Sequence, residues 1–157
     1  MRYLKAALCI VGVSMALSAG YRDDPRVQEI IREYGHVESM SKSGMFPYSK
    51  RGGEYDGEVD IAYLYRDNRY RQPPRKLKLE GGTGDSAHDA EYYYRLDGTL
   101  FFSYLRSANV RGCRTEVRSY FDHAGERIYR KEKHGTCAAI IGYKEIVRDP
   151  IQEFSKH

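Results

Sequence analysis

The first clear hydrophobic pattern in the chain has the period of a helix. Between Asp24 and Gly35, apolar residues recur at positions i, i+3, i+4 and i+7 and form one stripe along a helix. The stripe consists of Val27, Ile30, Ile31 and Tyr34. Asp24 is a good N-cap, Pro25 suits the first helical turn, and Gly35 supplies a left-handed stop. The sequence therefore predicts a short amphipathic helix over residues 24–34 that needs a sheet to pack against.

From Val59 onward the period changes to two, which is typical of strands with one buried face. The alternating stretches are residues 59–65, 76–79, 90–96, 99–106, 114–121 and 126–133. Asp97-Gly98 is a strong hairpin signal between two of them. The predicted fold class is α+β, with the N-terminal helix packed on an antiparallel β-meander of about six strands. Residues 36–58 are loop-like, and residues 138–147 fit a last strand or a short helix equally well.

A faint internal repeat supports one hairpin per unit. Residues 94–98 and 121–125 each place an aromatic residue four positions before a turn glycine, and residues 65–68 look like a worn third copy. The copies start 29 and 27 residues apart, at Tyr65, Tyr94 and Phe121. Residues 93–100 resemble one hairpin of the MORN-variant repeat proteins, but this spacing is not that family's period, so the resemblance implies nothing further.

The first twenty residues indicate export. A short basic start is followed by an apolar run from Ala6 to Leu17 and then by small residues up to Gly20. This order is the layout of a secretory signal peptide, and the apolar run is shorter than the roughly 20 residues that span a bilayer. We therefore expect residues 1–20 to be a signal peptide and residues 21–157 to be a single exported α+β domain, periplasmic or secreted. No transmembrane segment is expected after signal removal.

The charge balance argues against nucleic acid as a partner. The chain has 26 basic and 22 acidic residues, and loss of Arg2 and Lys5 with the signal peptide leaves an excess of two positive charges. A general basic field for nucleic acid is therefore not indicated. No phosphate-binding loop or carboxylate cluster with metal spacing is present in the sequence, so no cofactor is expected.

Two cysteines remain after residue 20, Cys113 and Cys137. In an exported chain an even pair predicts a disulfide. The competing interpretation is a metal site that also uses His134, but it lacks a fourth ligand and needs reduced thiols. We predict the Cys113–Cys137 disulfide and no metal site.

One enzymatic alternative comes from the glycine-rich stretch 81–86 and the residues after it. Ser86, His88 and Asp89 are the residue types of a nucleophile, a base and an orienting carboxylate. Their closeness in sequence argues against a triad, because these roles usually come from separate elements, and a solvated loop is the preferred interpretation. A small hydrolase remains the alternative.

The main functional candidate is a surface of tyrosine and arginine side chains. If Tyr92, Tyr94, Val117 and Phe121 point to the core, alternation places a second set on the opposite face. This second set, the Tyr/Arg face, consists of Tyr93, Arg95, Arg118, Tyr120, Arg127 and Tyr129. Tyrosine and arginine anchor recognition surfaces, although ordinary cross-strand pairs would have the same composition.

These observations favour an exported, non-enzymatic binding protein. The expected partner is a protein, as for an inhibitor or immunity protein, with a glycan as the second choice because tyrosines stack on sugar rings. A structural envelope protein is a further alternative beside the hydrolase.

Overall fold

The computed structural model describes residues 21–67 and 72–157, which form an antiparallel sheet covered on both faces. The strands are β1 Tyr48–Tyr55, β2 Glu58–Tyr65, β3 Lys76–Thr83, β4 Ser86–Tyr94, β5 Leu100–Asn109, β6 Arg114–Phe121 and β7 Arg127–His134. Each strand pairs with the next one along the chain, so the sheet order is β1 to β7. The α+β class and the antiparallel meander are confirmed, with seven strands in the described residues where the pattern predicted about six.

The additional strand is β1, which lies in the segment interpreted as a loop. All eight of its residues are exposed, so it carries no alternation of apolar and polar positions. Gly52 has a φ of 75°, and a Cβ atom at this position would lie 1.9 Å from the Asp60 carbonyl oxygen of β2. The edge strand therefore requires glycine at Gly52 to approach its neighbour.

Helix α1, Pro25–Lys42, starts where the sequence predicts and ends later. The Asp24 side chain accepts a hydrogen bond from the Arg26 backbone N–H at 2.9 Å, which confirms the N-cap. The predicted stop at Gly35 is wrong, because Gly35 lies inside the helix and the buried stripe continues through Val37. The left-handed residue after the helix is Gly44, with a φ of 77°.

Helix α1 covers one face of the sheet, here called the helix side. The aromatic residues buried beneath it belong to β4, β5 and β6, and the main ones are Tyr93, Phe101, Phe102 and Tyr120. From α1, Val27, Ile30 and Val37 complete this cluster. The apolar stripe of the helix and the strand residues that face it thus pack together in one hydrophobic layer.

The other face is covered by the end of the chain, residues 138–154, here called the strap. It includes the short helix α2, Pro150–Phe154, and places Val147 and Phe154 on the second hydrophobic cluster of the sheet. The sheet residues of that cluster include Leu77, Leu79, Tyr92, Tyr94, Leu105, Val117 and Phe121. The chain therefore forms three layers, with the sheet between α1 and the strap.

Residues 138–147, which fitted either a strand or a helix, are neither of these in the strap. Side-chain hydroxyls of the sheet replace the usual backbone partners: Tyr92 donates to the Lys144 carbonyl at 2.5 Å and Tyr94 to the Val147 carbonyl at 2.9 Å. Burial raises the pKa of both tyrosines, so they remain protonated donors at neutral pH. These hydrogen bonds give two backbone carbonyls of the irregular segment the partners that a strand or a helix would otherwise provide.

The predicted disulfide is confirmed. Cys113 in the β5–β6 connection and Cys137 after β7 are joined with an S–S distance of 2.09 Å. The bond fixes the point at which the strap leaves the sheet. The predicted signal peptide, residues 1–20, lies outside the described residues. Within the described part of the chain, no helix has the length and apolar character needed to cross a membrane.

Candidate functional site

The two sides of the sheet contain the residue sets that alternation separates. Tyr92, Tyr94, Val117 and Phe121 all lie in the cluster beneath the strap. Tyr93, Tyr120 and Tyr129 belong to the cluster on the helix side. The strap covers one side and α1 covers part of the other. Residues on the helix side are therefore accessible only beside α1.

Tyr93 and Arg95, the first two residues of the Tyr/Arg face, are enclosed beneath α1. Tyr93 has no exposed surface, and its hydroxyl lies 2.8 Å from a Glu38 carboxylate oxygen and 2.6 Å from one of Glu91. Arg95 is 6% exposed and donates to the Phe121 carbonyl at 3.2 Å. These two side chains hold the helix on the sheet and are not available to a partner.

Arg127 lies apart from the other residues of the predicted face. The pairing of β6 with β7 shifts register between Tyr120 and Phe121, which places Arg127 opposite Phe121. Its guanidinium contacts Glu145 of the strap at 2.9 Å. Simple alternation therefore misplaces Arg127, because a β-bulge changes the side to which following residues point.

The open part of the helix side contains a groove between α1 and the strands. Its cavity of about 400 Å³ is bordered by one flank of the helix, the 3₁₀ turn Tyr21–Asp23 and strands β5 and β6. Its lining includes Tyr21, Arg22, Gln28, Tyr34, Tyr104 and Arg118. Tyr120 also lines it but is only 5% exposed, so of the predicted face Arg118 is the main accessible member.

A second groove of about 470 Å³ continues the first along the same flank of α1. Tyr34 and Tyr104 line both, so the two form one trough. The second part is lined by charged residues, among them Glu38, Lys42, Lys78, Glu91 and Arg106. We call the two grooves together the trough.

The side chains of the trough are held in place by contacts among themselves. The Arg118 and Arg106 guanidiniums lie 4.8 and 5.2 Å from the centre of the Tyr104 ring. The Tyr104 hydroxyl beside it raises the pKa of the Arg118 guanidinium, and burial raises the pKa of Tyr34 and Tyr120. At neutral pH Tyr34 and Tyr120 therefore stay protonated and Arg118 stays charged, a combination suited to recognition.

Sequence reasoning missed Tyr104, Tyr34 and Tyr21 as members of this site. Tyr104 lies two residues after Phe102, so alternation along β5 carries a signal that it shares the helix side. Tyr34 was assigned to the apolar stripe of the helix, where it also borders the trough. Nothing in the local sequence indicates that Tyr21 stacks on Tyr129, with ring centroids 4.2 Å apart.

The three residues of the enzymatic alternative are not brought together. The Ser86 hydroxyl lies 3.4 Å from that of Thr83, and Asp89 pairs with Arg106 at 3.4 Å on the helix side. His88 is instead 2.7 Å from Ser107, which donates its proton to the Ile140 carbonyl of the strap at 2.6 Å. The direction of the His88–Ser107 hydrogen bond depends on the His88 tautomer, and Ser107 is not one of the three residues of the predicted alternative.

The metal alternative at the cysteines does not arise, because both sulfur atoms are bonded to each other. His134 instead contacts the Thr115 hydroxyl at 3.2 Å. Among residues 21–67 and 72–157, no group of three or more histidine, cysteine, aspartate or glutamate side chains is placed to hold a metal ion.

Comparison with known proteins adds no relative from which a role is carried over. No family model, no curated protein and no solved structure matches the chain.

Proposed function

We propose that this chain is an exported, non-enzymatic binding protein and that the trough is its binding site. The partner is a macromolecule outside the cytoplasm, with a protein as the first choice, as for an inhibitor or immunity protein, and a glycan as the second. The observation that carries the proposal is the cluster of accessible tyrosine and arginine side chains beside α1, on a sheet whose faces are otherwise largely covered.

The fixed geometry of the trough supports this proposal. Tyr34 packs edge-on against Tyr93 and Phe102, with ring centroids 5.0 Å apart in each pair. Tyr104 is flanked by two guanidiniums, as described above. Side chains that are already ordered lose little conformational entropy when a partner binds, so such a surface recognises a partner efficiently.

The disulfide and the sequence of residues 1–20 support export. Disulfides persist in oxidising compartments, and the basic, apolar and small order of the first twenty residues is that of a signal peptide. The partner is therefore sought in the envelope or outside the cell.

Site-specific photo-crosslinking in the producing cell tests the site. A benzophenone amino acid replaces Tyr104 in the trough or, as a control, Tyr55, which is 87% exposed at the end of β1. We expect a discrete higher-mass adduct from position 104 and none from position 55. Absence of an adduct at 104, or the same adduct at both positions, would contradict the proposal.

A pair of double variants provides the matched control. We expect Tyr104→Ala/Arg118→Ala to lose the partner identified by the crosslink. Tyr55→Ala/Arg111→Ala removes one exposed tyrosine and one exposed arginine elsewhere and is expected to retain it. Circular dichroism of both variants establishes that the fold is unchanged.

A further inference from the structure

We infer that the trough binds an extended, acidic polypeptide segment, with a carboxylate seated between Arg22 and Arg118. This inference rests on the proposed function and specifies the chemistry of the partner. It follows from the charge at one end of the trough, from its length, and from the way in which the Tyr104 ring is already occupied.

The charge at this end of the trough is positive and incompletely neutralised. Two guanidiniums, Arg22 and Arg118, line the 400 Å³ groove, and no carboxylate of residues 21–67 or 72–157 does. Arg118 has Glu116 at 3.7 Å, but both side chains are more than 40% exposed, so the pair contributes little. For Arg22, the described residues provide a contact with the Tyr21 hydroxyl at 3.4 Å and no ion pair. A carboxylate there would satisfy donors that the protein leaves free.

The rest of the trough is also more cationic than anionic. Its second groove is lined by Lys42, Lys76, Lys78 and Arg106 against the two carboxylates Glu38 and Glu91. Glu38 is neutralised by Lys76 at 2.6 Å, and the Lys78 and Arg106 side chains have partners at the rim. Because Arg22 has no ion pair among the described residues and the Arg118–Glu116 pair is exposed, the positive charge of the trough is least neutralised at the Arg22–Arg118 end. This suits a segment with a few acidic residues better than a uniform polyanion.

The dimensions of the trough favour a polymer over a small molecule. Its lining follows the flank of α1 from Gln28 to Ser41, which at 1.5 Å per residue is about 20 Å. An extended polypeptide covers that distance with roughly six residues. Ile31, which is 38% exposed, and Tyr34 supply apolar contacts beside the arginines, so the segment should alternate acidic and apolar side chains.

The surroundings of Tyr104 favour a polypeptide over a neutral glycan. A sugar ring stacks on an open aromatic face, but the guanidiniums of Arg118 and Arg106 already lie over the Tyr104 ring. The same guanidiniums offer charged donors, and a carboxylate side chain can accept hydrogen bonds from a guanidinium in bidentate geometry.

Fluorescence anisotropy with defined probes tests the inference. The probe is a fluorescein-labelled peptide that alternates glutamate with phenylalanine, and its control alternates glutamine with phenylalanine. We expect the glutamate peptide to bind at least roughly tenfold more tightly, because each charge-assisted hydrogen bond contributes more than a neutral one. Binding should weaken as salt is raised.

Two double variants assign the binding to the trough. Arg22→Gln/Arg118→Gln should reduce the affinity about tenfold or more, whereas Arg111→Gln/Arg148→Gln, at exposed positions away from the trough, should leave it unchanged. Tighter binding of an oligogalacturonate than of the glutamate peptide would overturn the choice of a polypeptide. Failure of every anionic probe, or equal affinity of both double variants, would overturn the inference altogether. The crosslink from position 104 tests the proposed function independently of the peptide-binding experiment.

Discussion

Two glutamates of α1 supply the polar part of its contact with the sheet. Glu33 lies between two nearly buried guanidiniums, 3.2 Å from Arg75 and 3.8 Å from Arg95. Glu38 receives the Lys76 ammonium and the Tyr93 hydroxyl. Buried ion pairs add little net stability but are costly to break, so these contacts fix the position of the helix on the sheet.

Glu38 makes the free energy of unfolding depend on pH in the acidic range. Burial raises the pKa of this carboxyl, but hydrogen bonds from Lys76 and Tyr93 outweigh it and lower the pKa from 4.5 to about 2. The folded state therefore binds this proton less readily than the unfolded state, and the contribution of Glu38 is present above about pH 4.5 and lost as the pH falls toward 2. We expect the free energy of unfolding to fall by roughly 1–3 kcal/mol over that window because of this group.

Urea unfolding between pH 5 and pH 2 checks this expectation. Glu38→Gln should be less stable at pH 5 and should show a flatter pH dependence than the unmodified protein. Parallel pH curves for the two proteins would show that Glu38 is not the group responsible.

Glu33 allows a direct test of the buried Arg–Glu–Arg contact. Glu33→Gln removes the carboxylate that Arg75 and Arg95 share, and the expected loss is about 3 kcal/mol in the free energy of unfolding. Glu29→Gln on the same helix removes an exposed pair with His123 at 3.1 Å and should cost well under about 1 kcal/mol. The idea fails if the two variants unfold at the same urea concentration.

At the scale of the elements, α1 contains a glycine that its fold does not require. Gly35 lies within the helix, and an added Cβ atom would meet nothing within 4 Å. Gly35→Ala should therefore raise the free energy of unfolding by about 0.5–1 kcal/mol, by reducing the freedom of the unfolded chain.

Gly44 is the matched control for this substitution. It has equally open surroundings but a φ of 77°, a conformation that costs an alanine roughly 1–2 kcal/mol. Thermal unfolding should show a higher midpoint for Gly35→Ala and a lower one for Gly44→Ala. Stabilisation by both substitutions would contradict the roles assigned to these glycines.

Local chemistry made some elements predictable and others not. The start of α1 follows from Asp24 and Pro25, and much of β2 to β7 follows from alternation. The loop interpretation of residues 81–89 was wrong, because residues 81–83 and 86–89 extend β3 and β4. The end of α1 was mistaken because a glycine in a helix and a glycine after a helix look alike until packing at Val37 decides between them. The edge strand β1 and the strap lack a hydrophobic period, since one is exposed throughout and the other is held by side-chain hydroxyls.

The candidate site was predictable only in part for a related reason. Alternation correctly separated Tyr93 and Tyr120 from Tyr92 and Phe121. It contains no information about which strands the helix crosses, and that crossing buries Tyr93 and leaves Tyr104 accessible. A site formed between a helix and a sheet depends on their relative placement, which arises from contacts distant in sequence.

At the scale of the whole molecule, the disulfide secures the strap. It closes a loop with a sequence separation of 24 residues, and chain entropy makes such a cross-link worth roughly 2–4 kcal/mol. Cys113→Ser/Cys137→Ser should lose about that much free energy of unfolding in urea. Hydrogen exchange should rise first in residues 138–149, and protection there equal to that of the intact protein would count against this role.

The meander order also has a consequence for the path by which the chain folds. Every strand pairs with its neighbour in sequence, so most sheet contacts span few residues, a topology associated with rapid folding. A chain delivered N-terminus first can pair each strand as it arrives, whereas the strap comes last and needs a sheet already assembled. Contacts made after the rate-limiting step slow unfolding without speeding folding. In stopped-flow experiments, Val147→Ala, which removes a contact of the strap with the sheet, should therefore accelerate unfolding and leave the refolding rate nearly unchanged.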